Sequence, residues 1–237
     1  MQAVILAGGK GTRLRPFTTT LPKPLVPLGD YPIIDVLLRQ LARQGFGDVV
    51  ISTGHLAELV EAYCGDGRKW KLRIRYAREE RPLSTAGCLR TIRGLKPHFL
   101  VVNGDILTDI SFAKLYRRHL KHKGWATLGV IARESKVDYG VVELGPRSTL
   151  AKYIEKPRLP YLVSMGVNVF DRRAVKLIDK DEAIGIPDFV LRLKARRKKI
   201  FCHRSESQWL DIGRPEDYET AQDLFERDPK RFLHAQP

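Results

Sequence analysis

The chain has 237 residues, 43% of them hydrophobic, and its 42 lysines and arginines against 27 aspartates and glutamates give a formal net charge of +15. This length suits one large α/β domain. No run of eighteen apolar residues occurs and the first residues lead straight into a strand, which argues against a membrane span or signal peptide and for a cytoplasmic protein. The three cysteines, Cys64, Cys88 and Cys202, form no CxxC pair and read as small core residues rather than a zinc site or disulfide framework. Positive charge favours anionic partners, nucleic acid included. The densest basic run, residues 194–199, falls where a helix should end, and no aromatic residues interleave with it, so no nucleic-acid partner is expected.

Residues 3–7 are apolar and suit a buried parallel strand. A loop follows in which Gly8, Gly9 and Gly11 let the backbone turn tightly and approach a ligand. Exposed N–H groups in such a loop form an anion-binding concavity. Arg13, Arg15 and Lys23, the last between two prolines, can converge on that anion, and a polyphosphate fits best. Two familiar glycine motifs fail here: GxGxxG meets Leu14 at its third glycine, and GxxxxGK with a following Ser or Thr has no match.

Pro32 is placed to open a helix whose apolar face is Ile33, Ile34, Leu37, Leu38 and Leu41. A strand over 48–53, a helix through Leu56, Leu59, Val60 and Tyr63, a strand over 72–76, a helix over 85–92 and a buried strand over 98–102 follow. The alternation predicts an α/β fold of three layers, α/β/α, Rossmann-like, with a mixed but mostly parallel sheet and ligands beyond the carboxyl ends of its strands. Asp105 stands at one such end. Residues 105–107 lack the DxD pair of a glycosyltransferase. The second half changes character: a helix over 111–121, strands over 126–132, 140–144, 151–154 and 162–170, helices over 172–178 and 186–195, and a strand over 200–203. Pro215, with Glu216 and Asp217 behind it, opens a closing helix. The six histidines are scattered and His55 reads as structural, so no Ser-His-Asp or Cys-His arrangement is present.

AGGKGTRLRP at 7–16, PKPLVP at 22–27, DYGVVEL at 138–144, YIEKP at 153–157 and WLDIGRPEDY at 209–218 together resemble the signature of sugar-1-phosphate nucleotidyltransferases, the nucleoside-diphosphate-sugar pyrophosphorylases. The resemblance runs from residue 1 to about 218. It implies a single nucleotidyltransferase domain over 1–237, with residues 1–110 mainly binding nucleotide and 111–237, including an inserted β region, mainly binding sugar phosphate. It implies Arg13 and Lys23 as catalytic residues. Nucleotide would lie against Leu6, Ala7, Gly8, Gly9, Gly11, Thr12, Glu79, Ser84, Thr85, Asn103 and Gly104. Asp105 and Asp211 would hold Mg2+, and Gly140, Glu155, Lys156, Gly166 and Asn168 would meet the sugar phosphate. The partners are then a nucleoside triphosphate and a sugar 1-phosphate, without membrane, and homo-oligomers are common in such families.

The chain departs from the family in places. In PLSTAG at 82–87, Ser84 stands where glycine is usual; in residues 164–170, Ser164 and Asn168 replace the usual asparagine and tyrosine. Glu79 is expected at the Watson–Crick edge of the base. A carboxylate there accepts from the ring N–H and amino group of guanine, or from the single ring N–H of uracil or thymine. Guanine uses it more fully, which makes GTP with mannose or heptose 1-phosphate the leading expectation. A UTP- or dTTP-dependent transferase acting on glucose or amino-sugar 1-phosphate is the alternative, followed by a regulator that binds nucleotide without turnover.

Overall fold

The computed structural model describes residues 1–233. Its centre is a seven-stranded sheet. From the amino terminus come β1 (Gln2–Ala7), the two-residue pair β2 (Pro27–Leu28) and β3 (Tyr31–Pro32), α1 (Ile33–Arg43), β4 (Asp48–Thr53), α2 (Ala57–Cys64), β5 (Arg73–Arg78), α3 (Ser84–Gly87), β6 (His98–Asn103) and β7 (Ile106–Thr108). Then follow α4 (Phe112–His122), β8 (Ala126–Lys136), β9 (Val141–Leu144), β10 (Leu150–Ile154), β11 (Arg158–Asp171), α5 (Arg172–Val175), α6 (Ile186–Ala195), β12 (Ile200–Ser205), β13 (Trp209–Asp211), α7 (Pro215–Arg227) and α8 (Pro229–Leu233).

The sheet order is β12-β8-β11-β6-β1-β4-β5. β11 alone is antiparallel to its neighbours β6 and β8, and the remaining pairs are parallel. Both faces are covered, which is why β1 and β4 read as continuous apolar runs rather than alternating ones. On one face Ala3, Ile5 and Val102 pack with Ile34, Leu37 and Leu41 of α1 and Phe112 and Leu115 of α4. On the other, Val4, Val101 and Phe170 pack with Ala86, Ala174, Phe189 and Leu193 from α3, α5 and α6. A third cluster, built on Leu14, Val26, Leu28, Leu107, Ile212 and Phe225, ties the amino-terminal loop to α7.

The α/β/α expectation therefore holds, with some boundaries moved. β8 reaches Lys136 and β11 begins at Arg158. Their outer halves pair Arg158 with Lys136 and Pro160 with Glu134 beyond the core, where exposed charged residues give no buried-strand signal. Beyond this ladder sits the β9–β10 hairpin, with Tyr139, Leu144 and Leu150 exposed. The helix expected over 85–92 splits into α3 and a tight turn at Cys88–Arg90. Pro32 precedes the first helical residue rather than forming it. β8, β11 and β12, all from the second half, extend the sheet that the first half begins.

Candidate active site

β1 and β6 lie side by side, pairing Leu6 with Asn103, and release their loops at the same edge. A Cβ on Gly104 would sit 2.7 Å from the Leu6 carbonyl oxygen, so only glycine lets the two strand ends approach this closely. Gly11 takes a left-handed backbone (φ 62°) and starts the turn Thr12–Leu14. The Thr18 hydroxyl donates to the Gly11 carbonyl at 2.7 Å and holds that turn in place.

Two adjoining cavities open here and share Leu6, Gly9 and Asp105. The first, about 220 Å3, is also lined by Ala7, Gly11, Thr12, Arg13, Lys23, Pro24, Gly104 and Gly213. The second, about 320 Å3, is also lined by Gly8, Glu79, Pro82, Ser84, Thr85, Cys88 and Asn103. Every residue named from the sequence for nucleotide, and both named as catalytic, thus borders one cleft.

The first cavity is the charged one. Lys23 Nζ donates to Asp105 Oδ2 at 2.5 Å. Asp211 arrives from the far end of the chain because β13 pairs with β7, opposing Asp211 to Ile106, and Ile212 N donates to the Asp105 carbonyl. A Cβ on Gly213 would lie 3.4 Å from Asp211 Oδ2 and 3.8 Å from Arg13 Nη1, so both groups come together over that glycine. Burial first, and then the Asp105 charge, raise the Asp211 carboxyl above the usual range, while Lys23 and Arg13 pull the other way.

In the second cavity Glu79 is held by two donors. Ser52 Oγ donates to its Oε1 at 3.2 Å, and Leu83 N to its Oε2 at 2.9 Å, leaving one lone pair on each oxygen. Ser84 adopts a left-handed backbone (φ 62°), which explains why glycine is the easy residue there. Thr85 Oγ1 accepts from Ile186 N, fixing α3 against α6. Gly166 (φ 67°) faces Asn103: a Cβ on it would meet Asn103 Nδ2 at 2.5 Å.

The residues expected for sugar phosphate separate into three groups. Gly166 adjoins the second cavity through Asn103. Gly140, Glu155 and Lys156 lie at the outer hairpin and line neither cavity. There Glu155 accepts from Tyr153 Oη and pairs loosely with Lys156 at 3.9 Å. Asn168 corrects the expectation outright. It is fully buried in β11, in register with Val101 and Leu128, and its amide has no partner. A residue facing inward from the middle of a covered sheet does not reach a ligand at its edge.

Several contributors carry no local sequence signal. Gly54 passes Gly8 so closely that a Cβ would lie 2.8 Å from the Gly8 oxygen. Asp217 Oδ2 accepts from Gly213 N and Arg214 N, shaping the turn beside Asp211. Arg133 lies over the Trp209 ring and donates to the Trp209 carbonyl at 2.6 Å, bracing β13. Thr18, Ser52 and Gly54 were missed because their partners are distant in sequence or unmarked by any motif.

A glycine loop at the carboxyl ends of parallel strands, cations and carboxylates around one cavity, and a polar second cavity beside it together define a nucleotide-handling α/β protein. The chain belongs to the nucleotidyl transferase family, whose model matches residues 2–228. It is 31% identical to a mannose-1-phosphate guanylyltransferase of Mycobacterium tuberculosis, over 92% of this chain and 62% of that one. It is 29% identical to the D-glycero-alpha-D-manno-heptose 1-phosphate guanylyltransferase of Aneurinibacillus thermoaerophilus, over 94% of this chain and 97% of that one. The chain thus spans about three fifths of the first relative and nearly all of the second. In fold it matches a Bacillus anthracis protein described as a candidate glucose-1-phosphate thymidylyltransferase, with a TM-score of 0.77, 23% identity and coverage of 98% and 99%.

Proposed function

We propose that the chain is a sugar-1-phosphate nucleotidyltransferase. An oxygen of the sugar phosphate attacks the α-phosphorus of a nucleoside triphosphate, the α–β phosphoanhydride bond breaks, and pyrophosphate leaves with the bonding pair. The observation that carries this reading is the convergence of Arg13, Lys23 and Asp105 on the cavity formed by the glycine loop, with Asp211 close by over Gly213.

The reaction brings two polyanions together, so the protein must offset their repulsion and stabilise charge growing on the leaving group. The loop N–H groups of Gly8, Gly9 and Gly11 face the phosphates, Arg13 meets the departing pyrophosphate, and Lys23 meets the α-phosphate. No side-chain nucleophile is required because the attacking oxygen already carries charge. Asp105 and Asp211 suit a hard divalent cation: two carboxylates converge, and burial first, then the Asp105 charge, disfavour an ionised Asp211 without a further cation. They would hold Mg2+, which when bound supplies charge neutralisation at the phosphates. Glu155 and Lys156 on the outer hairpin are the proposed sugar-phosphate contacts, although they line neither cavity, and the space over Gly140 and Gly166 is taken by Tyr153 and Asn103.

GTP with mannose or heptose 1-phosphate is the favoured pair. The free lone pair on each Glu79 oxygen suits the two donors of guanine, and the two guanylyltransferases above match this chain over more than nine tenths of its length. A uridylyl- or thymidylyltransferase is the second reading, since one ring N–H also satisfies one Glu79 oxygen.

Pyrophosphate release with magnesium, crossing GTP, UTP, dTTP, CTP and ATP with glucose, mannose, N-acetylglucosamine and heptose 1-phosphates, tests both. Turnover with GTP and mannose or heptose 1-phosphate is expected. Turnover only with UTP or dTTP would replace the base assignment, and a correctly folded protein inert to the whole panel would count against catalysis.

A further inference from the structure

A third cavity, about 400 Å3, lies away from the cleft, between the amino end of α4 and the carboxyl end of β12. His203 lines it, is only 6% exposed, and its Nδ1 has no hydrogen-bond partner. Lys114 and Arg204 line it too, and Arg118, one turn beyond Lys114 on α4, is close enough for its charge to act on the imidazole. Among the described residues none of these three cations forms an ion pair, and Glu206 is the single acid on the cavity wall.

The surroundings fit a negative guest. Ser111 caps α4 by accepting from Lys114 N, and the first turn of that helix holds no acid, so its positive end is uncompensated. Burial first, and then the Arg118 and Lys114 charges, keep the His203 imidazole neutral, and a buried nitrogen without a partner costs free energy of its own. In the neutral Nδ1–H tautomer, that nitrogen is a ready donor to an oxyanion.

We propose that this cavity is a binding site for a phosphate-class oxyanion, either free phosphate or the head of a phosphomonoester, held by His203, Lys114 and Arg204 at the amino end of α4. The site is distinct from the nucleotide cleft and independent of the reaction assigned to it. Bonds link its wall to β13: Gln208 N donates to Asp109 Oδ1 at 2.7 Å, Thr108 Oγ1 donates to the Gln208 carbonyl, and the next residue begins β13, which carries Asp211.

The test is a titration of 15N-labelled Lys23→Ala protein, whose cleft is weakened for phosphate, with inorganic phosphate, methyl phosphate or, at matched ionic strength, chloride, following the His203 imidazole resonances. A saturable shift is expected with either phosphate and none with chloride, at an affinity on the order of 1 mM. The tighter of the two phosphates identifies the source. Lys114→Glu and Arg204→Glu, both at exposed positions, should each weaken binding about tenfold or more. No saturable His203 shift, the same shift with chloride, or phosphate binding unchanged in both charge-reversal variants would overturn the proposal.

Discussion

Lys23 Nζ and Asp105 Oδ2 are 2.5 Å apart, with side-chain exposures of 10% and 25%. The Lys23 ammonium thus neutralises the carboxylate that the proposed function gives to a metal. On that reading, a bound triphosphate would give the lysine a second anionic partner and leave Asp105 to a cation. Lys23→Ala should lower turnover about 100-fold or more while the far-ultraviolet circular dichroism stays native. Unchanged pyrophosphate release in such a protein would refute the assignment.

Asp211 leads to an opposite effect on stability. Its carboxyl titrates above the ordinary range in the folded chain, chiefly through burial and then through Asp105. The stability it contributes is present below the unfolded value and lost as pH rises through the folded one. At neutral pH the ionised group is a liability. Asp211→Asn should raise the metal-free Tm by a few degrees, since roughly 1 kcal/mol is worth about 2–4 °C at this chain size. The same variant should lose magnesium-dependent turnover. A fall in Tm would contradict the charge argument.

Ser84 and Gly166 both occupy left-handed backbone beside the second cavity, with opposite expectations. Ser84→Gly relieves a conformation that costs a non-glycine residue about 1 kcal/mol, and thermal melts should show it more stable. Gly166→Ala adds strain and a clash with Asn103 Nδ2, so it should destabilise by about 1–3 kcal/mol and raise the KM for nucleotide. An unchanged nucleotide KM would separate Asn103 from nucleotide binding.

Glu79→Gln should reduce kcat/KM more with GTP than with dTTP, because guanine draws on two acceptors and the amide retains one. Kinetics with the two triphosphates against one sugar phosphate decide it, and equal losses would show that Glu79 does not read the base.

His119 should make the fold acid-sensitive. It is fully buried, between His98 at 3.1 Å and Thr127 Oγ1 at 2.9 Å. Burial first, and then the charge of His98, bring its pKa down to about 4, whereas Asp171 pulls it back up and His122 adds to the lowering. The unfolded chain therefore binds the extra proton, and stability drains away as pH falls from about 6.5 towards 4, by a few kcal/mol in all. Urea unfolding across that range should show the slope in the native chain and a flatter one in His119→Gln. Equal slopes would place the acid sensitivity elsewhere.

The cleft was legible in sequence where its parts are local. The strand, the glycine turn, Arg13 and Lys23 lie within one short stretch, Asp105 follows an apolar strand, and Asp211 is marked by the family motif at 209–218. What stayed hidden depends on contacts between distant segments. Nothing around Thr18, Ser52 or Gly54 announces a partner that only folding supplies. Asn168 was named from the family segment matched at residues 164–170, and the placement of β11 between β6 and β8 buries it. The outer halves of β8 and β11 escaped because each is exposed and gains its partner only from the other.

The pairing of β7 with β13 also has a kinetic meaning. Thr108 and Gln208, bonded to each other, are 100 residues apart. Contacts of such separation close late and slowly, since the intervening chain must be ordered first. During synthesis, Asp105 emerges long before Asp211. A chain arrested short of residue 211 carries the glycine loop and one carboxylate but no pair, so on the proposed reading capture of a divalent cation would report that the polypeptide has folded through β13.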